Sequence, residues 1–413
     1  MRATPKLIRL LVICLIITTT FTVHLVVGKQ SQHHAAFEPP DSGTVVHGKQ
    51  VNKVAKALYP LHPFPESPMQ VSLSDDDHNH TSSQPPKPWL AAVICAAADF
   101  EHRAAIRSTW MQLFRDVPFD GRFVVANPGP QWTAMVAMEN RTFGDIIVLD
   151  HLQEDDVTAN TVKTLEFYKW LVSHDYRYEF VSKMDTDLWL NARGFWDKFL
   201  APRLSNKTGV WKSTVERTVI GELYYTRSWD LVFPHGSMYT VTWDMVGLLS
   251  SLQSRFKVVT GEDMALAVLM LKGRERANFV NFRGTEKFDY DDRDSRGDGT
   301  AWSRASTHPN STRHALYGTD PIAIHELKDS KLWRKVADCF DETGLKKAPE
   351  PLGPDRTPFS VHWFDFWDFV GFGHRHRSRF DGIPDFLWSF QDGSWICDDI
   401  WNLGKTKTGY SAA

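Results

Sequence analysis

From Trp89 onward, short unbroken apolar runs alternate with longer stretches in which apolar residues return every three or four positions. "WLAAVICAA" (89–97) is continuous, the pattern of a strand buried on both faces. In "EHRAAIRSTWMQLF" (101–114) the apolar positions Ala105, Ile106, Trp110, Leu113 and Phe114 keep helical spacing. "GRFVVA" and "DIIVLD" predict two further strands. "TANTVKTLEFYKWLVSH" predicts a helix with Val162, Leu165, Tyr168, Leu171 and Val172 on one stripe, capped by Thr158 or Asn160. "YEFVSK" follows as a fourth strand. This alternation predicts an α/β fold around a mixed, mostly parallel sheet, in which ligands collect outside the C-terminal strand ends.

The flanks lack that rhythm. Leu10–Val27 is uncharged and follows Arg2, Lys6 and Arg9. At about 1.5 Å per residue it covers roughly 27 Å, close to a bilayer core, and the basic residues ahead of it favour a cytoplasmic N-terminus. The expectation is a cytoplasmic tail at 1–9 and a transmembrane signal anchor at 10–27. A cleaved signal peptide ending near Gly28 is the rival. Residues 28–88 are rich in Pro, Ser, His and charge and read as a disordered stem. Its "SDDDHNH" (74–80) is read as a solvated charge run, because a linker cannot fix ligand geometry. The main globular domain then spans 89–345. Within it, 283–314 is a polar insertion expected to be a long exposed loop. Its acids fail as an EF-hand, since Arg296 and Ser303 stand at positions five and twelve when Asp292 is first. An aromatic-rich C-terminal extension, 346–413, is expected to pack back on the domain.

Composition narrows the class. Net charge is −3, with 47 basic and 50 acidic residues, which gives nucleic acid no support as a partner. The 16 tryptophans suit either a core or the faces of sugar rings. Asn79, Asn140, Asn206 and Asn310 each begin an N-x-S/T sequon, consistent with a lumenal chain. Of four cysteines, Cys14 lies in the anchor and Cys95 in a core strand, leaving Cys339 and Cys397 to pair in an oxidising compartment.

Candidate chemistry concentrates in "EFVSKMDTDLWLN" (179–191), where an apolar strand ends in two carboxylates. In an extended segment residues two apart share a face, so Asp185 and Asp187 converge. Hard oxygen ligands of that kind suit Mn²⁺ or Mg²⁺. The stretch resembles the metal-binding loop of glycosyltransferase family 31, the β1,3-galactosyl- and N-acetylglucosaminyltransferases and their fringe relatives, with Thr186 in place of a middle acid. "RAAIRSTW" (103–110), "DIIVLDHLQEDDVTANTVKT" (145–164), "YYTRSWDLVFPHGSMYTVTWDMVGLL" (224–249) and "TGEDMALAVLM" (260–270) resemble further family motifs in the family's order. The chain departs from it at Ser237, where a cysteine is usual, and at Met264 and Ala265.

The resemblance implies a GT-A type nucleotide-sugar-binding fold, a UDP-sugar donor, Mn²⁺ (or Mg²⁺) and inversion at the anomeric carbon. It assigns metal binding to Asp185, Asp187 and a later histidine, His325 ahead of His308 and His314. His325 otherwise reads as a core histidine. Asp263 becomes the catalytic base, against a plain helix N-terminal acid. Arg103, Arg107, Lys183, Asp185 and Thr186 become donor-side residues, with Arg103 and Arg107 equally suited to fixing a loop by salt bridges. Gly236, Glu262 and Trp243 fall on the acceptor side. The implied protein is a type II Golgi enzyme moving galactose, or second N-acetylglucosamine, onto a glycan or glycoconjugate hydroxyl. Its N-terminal anchor holds it in the membrane, and homodimer formation stays open. The rivals are a non-catalytic nucleotide-sugar or glycan-binding domain and a metal-dependent hydrolase, for which no paired-metal spacing is present.

Overall fold

The computed structural model describes residues 87–155, 161–207, 209–290, 316, 320–347, 366, 370 and 379–409. The anchor, all of the stem before residue 87, Asn79, Asn310, Thr158, Asn160, His308 and His314 lie outside them. Among the described residues no helix is long and apolar enough to cross a membrane.

In chain order the strands are β1 (Trp89–Ile94), β2 (Phe119–Asn127), β3 (Ile146–Gln153), β4 (Phe180–Met184), β5 (Trp189–Leu190), β6 (Leu204–Asn206), β7 (Trp211–Ser213), β8 (Thr218–Thr226) and β9 (Leu231–Thr242). They continue with β10 (Ala277–Asn281), β11 (Lys287–Asp289), β12 (Ala323–His325), β13 (Phe340–Asp341), β14 (Gly344–Leu345), β15 (Trp388–Gln391), β16 (Ser394–Cys397) and β17 (Trp401–Gly404). Ten of them form one sheet in the order β15-β16-β17-β10-β8-β9-β4-β1-β2-β3. The β4-β1-β2-β3 side is parallel, as the alternation predicts. The β8–β9 hairpin inserts antiparallel against β4 and makes the sheet mixed.

The continuous run in β1 has a simple cause. Trp89, Ala91 and Val93 enter one buried cluster, while Leu90 and Ala92 enter the other, on the opposite face. Each face therefore needs its own apolar cover. The helices Lys163–Ser173, Trp243–Phe256 and Glu262–Gly273 cover one face. In Lys163–Ser173 the buried stripe runs through Leu165, Phe167, Tyr168 and Leu171, and Val172 turns outward. The helix predicted over 101–114 is regular only through Phe100–Ile106 and continues as a wider turn with a kink at Thr109. There the Thr109 hydroxyl back-bonds to Ala105 O and accepts from Trp333 Nε1 at 3.2 Å, which breaks the regular ladder.

Three expectations need correction. Residues 283–290 are no exposed loop. Glu286 and Lys287 are buried, and β11 pairs with β12, which in turn pairs with β5. Cys339 and Cys397 are not bridged. They sit in the two clusters on opposite faces of the sheet, and the Cys339 thiol donates to Lys335 O at 3.3 Å. Finally, residues 379–409 do more than rest on the domain, since β17 pairs with β10 and extends the central sheet. Trp401 is fully buried there, its Nε1 donating to Val232 O at 2.9 Å.

Trp401→Ala should therefore destabilise the whole fold by about 3–5 kcal/mol, the cost of a large core cavity. The check is equilibrium urea unfolding. A loss below about 1 kcal/mol would show that these strands are not part of the same cooperative unit.

Candidate active site

The site begins with a charge that has no water. Lys183, on β4, is essentially buried, yet its ammonium meets three acceptors: Asp185 Oδ1 at 2.8 Å, Gly236 O at 2.6 Å and Glu262 Oε2 at 2.8 Å. Three donors and three acceptors leave nothing unsatisfied. Burial opposes the charge, but the Asp185 and Glu262 carboxylates outweigh it and hold Lys183 well above its ordinary pKa. Antiparallel pairing with β9 sets this geometry, placing Lys183 opposite Tyr239 and bonding Asp185 N to Ser237 O at 3.0 Å.

Past Met184 the chain turns rather than continuing extended, so Asp185 and Asp187 converge by a turn at Thr186. β12 then delivers His325 to the same spot, because Ile324 pairs with Trp189. His325 Nε2 lies 3.2 Å from Asp187 Oδ1 and 3.8 Å from Asp185 Oδ2. These three side chains can offer ligand atoms all within 4.8 Å of one another. Two carboxylate oxygens and one imidazole nitrogen fit a small divalent cation with open positions remaining. The site lines a cleft of about 460 Å³ that also takes in Thr186, His102 and Lys328.

The imidazole is held from behind. His325 Nδ1 lies 2.8 Å from Asp289 Oδ1, and β11 sets that contact by pairing Asp289 with His325. Burial would lower the His325 pKa, but Asp187 and Asp289 push it up to about 9. Asp289 in turn bonds Arg379, whose Nη1 reaches Glu222 Oε2 at 3.1 Å. Buried Lys287 reaches the same Glu222 oxygen at 3.1 Å and His235 Nδ1 at 2.9 Å. Burial first, then Lys287 and Arg379, hold His235 well below its ordinary pKa, so it is neutral. None of Asp289, Arg379, Glu222, Lys287 and His235 was predicted as a site residue. Their only sequence signal was polar residues inside apolar runs, as in "NFRGTEKFDY" and "VIGELYY".

Asp263 and Glu262 open the helix Glu262–Gly273 beside Lys183. Glu262 takes the lysine and accepts from Tyr239 Oη at 3.3 Å, which gives it a structural role. Asp263 packs on Gly236 so closely that a Cβ there would stand 3.1 Å from the Asp263 Cβ. Burial raises the Asp263 pKa, with Lys183 offsetting only part of it and Asp185 adding to it. A carboxylate so placed is a stronger base than one in water.

Other expected residues lie elsewhere. Arg103 spends its guanidinium on Glu139 (2.9 and 2.7 Å), Ala96 O (2.7 Å) and Ala97 O (3.0 Å). Arg107 bonds Asp145 at 2.7 and 2.8 Å and Glu139 at 2.6 Å, stacked between Phe123 and Phe143. Both guanidinium groups are engaged in ion pairs that tie the start of this helical segment to Glu139 and Asp145. Trp243 belongs to the far end of the sheet, where its N–H donates to Glu179 O, a full strand away from Asp185. Asn140 sits in the last turn of Gly129–Phe143 with its Oδ1 accepting from Ile146 N, whereas Asn206 is exposed on β6.

Residues 101–274 match the family model described as Galactosyltransferase. Among curated relatives, mouse (Mus musculus) beta-1,3-galactosyltransferase 1 is 31% identical over 119 residues, which is 28% of this chain and 36% of that protein. The UDP-GlcNAc:betaGal beta-1,3-N-acetylglucosaminyltransferase 9 of Bos taurus is 33% identical over 131 residues, 28% of this chain and 32% of its own. A Xenopus tropicalis UDP-GalNAc:beta-1,3-N-acetylgalactosaminyltransferase 2 is 28% identical over 143 residues, 33% and 29% of the two chains. The chain thus spans about a third of the length of the relatives it matches. Among solved structures, galactosyltransferase LgtC with donor and acceptor sugar analogs aligns at 11% identity and a TM-score of 0.35, over 63% of this chain and 98% of that one. That likeness is too low to argue from.

Two outcomes follow from this geometry. A cation needs the His325 proton to leave, and that proton is held up to about pH 9. Apparent Mn²⁺ affinity should therefore rise by about tenfold per pH unit between pH 6.5 and 9 and level off above, read by calorimetry. In metal-free protein the sign reverses. The raised His325 pKa stabilises the fold fully below the ordinary value of 6.5, and that contribution disappears as pH passes about 9. Separately, Lys183→Met should destabilise by about 3–5 kcal/mol in chemical denaturation, because it leaves Glu262 buried with no cation.

Proposed function

We propose that this chain, whose residues 101–274 belong to the Galactosyltransferase family, is an inverting hexosyltransferase with a GT-A type fold. It would move galactose from UDP-galactose to a glycan hydroxyl, forming a β1,3 bond. The observation that carries the reading is the meeting of Asp185, Asp187 and His325 at the C-terminal end of β4, tied through Lys183 to the helix that bears Asp263. N-acetylhexosamine transfer is the second reading, because two relatives are named for N-acetylgalactosamine and N-acetylglucosamine donors.

Bound by Asp185, Asp187 and His325, Mn²⁺ (or Mg²⁺) would supply positive charge for the diphosphate that departs with UDP. The chain's own groups do the rest. Asp263 accepts the proton of the acceptor hydroxyl as its oxygen bonds to the anomeric carbon from the face opposite the phosphate. The carbon–oxygen bond to phosphate breaks, and UDP takes the electron pair. Lys183 keeps Asp185 aimed at the cleft and bonds Glu262 next to the base, and Gly236 gives Asp263 the room to sit there. The uncharged Leu10–Val27 run supports a type II anchor, and the sequons support a Golgi-lumenal domain.

The test is transfer from UDP-galactose, UDP-N-acetylglucosamine and UDP-N-acetylgalactosamine to glycan acceptors with the full chain and Mn²⁺. Asp263→Asn should lower kcat by 10³-fold or more while donor affinity, measured by calorimetry, stays within about threefold. Transfer that survives Asp263→Asn would remove the base assignment. A folded chain that binds none of the donors would remove the transferase reading.

A further inference from the structure

The family-model match ends at residue 274, yet His325 and the chain of side chains that holds it from behind, Asp289 and then Arg379, come from beyond it. Resting on the reading that Asp185, Asp187 and His325 hold a divalent cation, we propose that Asp289 and Arg379 are positioning residues for that cation. Through them the C-terminal strands set the metal affinity of the site.

An ionised carboxylate only accepts, so the His325 Nδ1 that lies 2.8 Å from Asp289 Oδ1 must carry a hydrogen. Nε2, 3.2 Å from Asp187 Oδ1 and 3.8 Å from Asp185 Oδ2, carries the hydrogen that a cation displaces, and with Nδ1 tied to Asp289 it is the nitrogen whose lone pair then turns to the metal. Asp289 therefore fixes both the ring's rotation and its tautomer, as carboxylates behind metal-bound histidines generally do. Neighbouring strands enforce the contact: β11 and β12 are parallel with Asp289 and His325 in register, and β12 is clamped to β5 just after the two aspartates.

Asp289 needs its own anchor, and the C-terminal segment supplies it. Arg379 Nη2 takes the other carboxylate oxygen, Oδ2. Its Nη1 donates to Glu222 Oε2 at 3.1 Å and its backbone N–H to Glu222 Oε1 at 3.3 Å. Glu222 is buried on β8 and is shared with Lys287, so the guanidinium spans two carboxylates from two different sheets. Directly after Arg379 the chain makes a short turn packed against β8 and enters β15–β17, which extend the central sheet. A rigid sheet edge thus ends in one guanidinium that holds the carboxylate behind the histidine.

The test is Mn²⁺ titration of the full chain, followed by the electron paramagnetic resonance signal of free Mn²⁺. Wild type, Asp289→Asn and Arg379→Gln are compared, each also in a His325→Ala background. Asp289→Asn should weaken Mn²⁺ binding by about 10–100-fold, and Arg379→Gln by a smaller factor. In the His325→Ala background neither should add more than about twofold, because the residue they act through is gone. Wild-type affinity in Asp289→Asn would overturn the proposal. So would an equal loss with and without His325, the signature of a merely structural role. If Asp289→Asn does not fold, Asp289→Glu keeps the charge and makes the same comparison. A wild-type chain that leaves Mn²⁺ free would overturn the metal reading and this inference with it, a result distinct from selective failure of the Asp289 variant.

Discussion

The buried ammonium of Lys183 is the contact on which the site depends. It touches the metal-side acid Asp185, the β9 backbone at Gly236 and the helix-opening Glu262 together. A charge moved out of water is tolerable only when every donor is matched, and here each partner comes from a different element. The same three contacts that satisfy the lysine therefore fix how the end of β4, the start of β9's inner half and the helix Glu262–Gly273 meet. The cleft is a by-product of solving that burial problem.

A mixed sheet is what allows the solution. Parallel β1 and β4 bring apolar strands to a common C-terminal edge, and the antiparallel β9 returns the chain past that edge instead of away from it. Asp263 thus packs on Gly236 while Asp185 bonds the lysine that holds the Gly236 carbonyl. The small β11-β12-β5 sheet closes the remaining side with His325. Charges inside this shell are arranged in alternation: Lys183 between Asp185 and Glu262, His325 between Asp187 and Asp289, Arg379 between Asp289 and Glu222. For Lys183, His325, Asp187, Asp289 and Arg379 the opposite charges outweigh burial, whereas for Glu262 burial prevails and raises the pKa.

Much of this was legible. Unbroken apolar runs mark β1 through β4, and the acid pair at the end of a strand marks the cleft. The family resemblance pointed to Asp263 and His325, and the structure sets Asp263 against Gly236 and His325 Nε2 within 3.8 Å of Asp185 and 3.2 Å of Asp187. What stayed hidden has a common cause. Periodicity reports which residues are buried, not which partner a buried polar residue finds. Arg103 and Arg107 share a helix face with correct spacing for either a ligand or salt bridges, and only Glu139 and Asp145, more than thirty residues away, decide between them. Trp243 sits in a motif with Gly236 but seven residues on, which in a strand is the other end of the sheet. Asp289 was lost inside an acid-rich stretch read as one loop, because polar composition masks a three-residue strand. Cys339 and Cys397 were paired by elimination, and elimination knows nothing of two separate core faces.

The most direct test of the account is anomalous diffraction from crystals of the chain grown with Mn²⁺ and UDP. One strong manganese peak is expected in coordination contact with Asp185, Asp187 and His325, with the diphosphate on its open side and Asp289 still bonded to His325 Nδ1. A manganese peak held by other residues, or UDP bound away from the end of β4 with no metal at these three side chains, would contradict it.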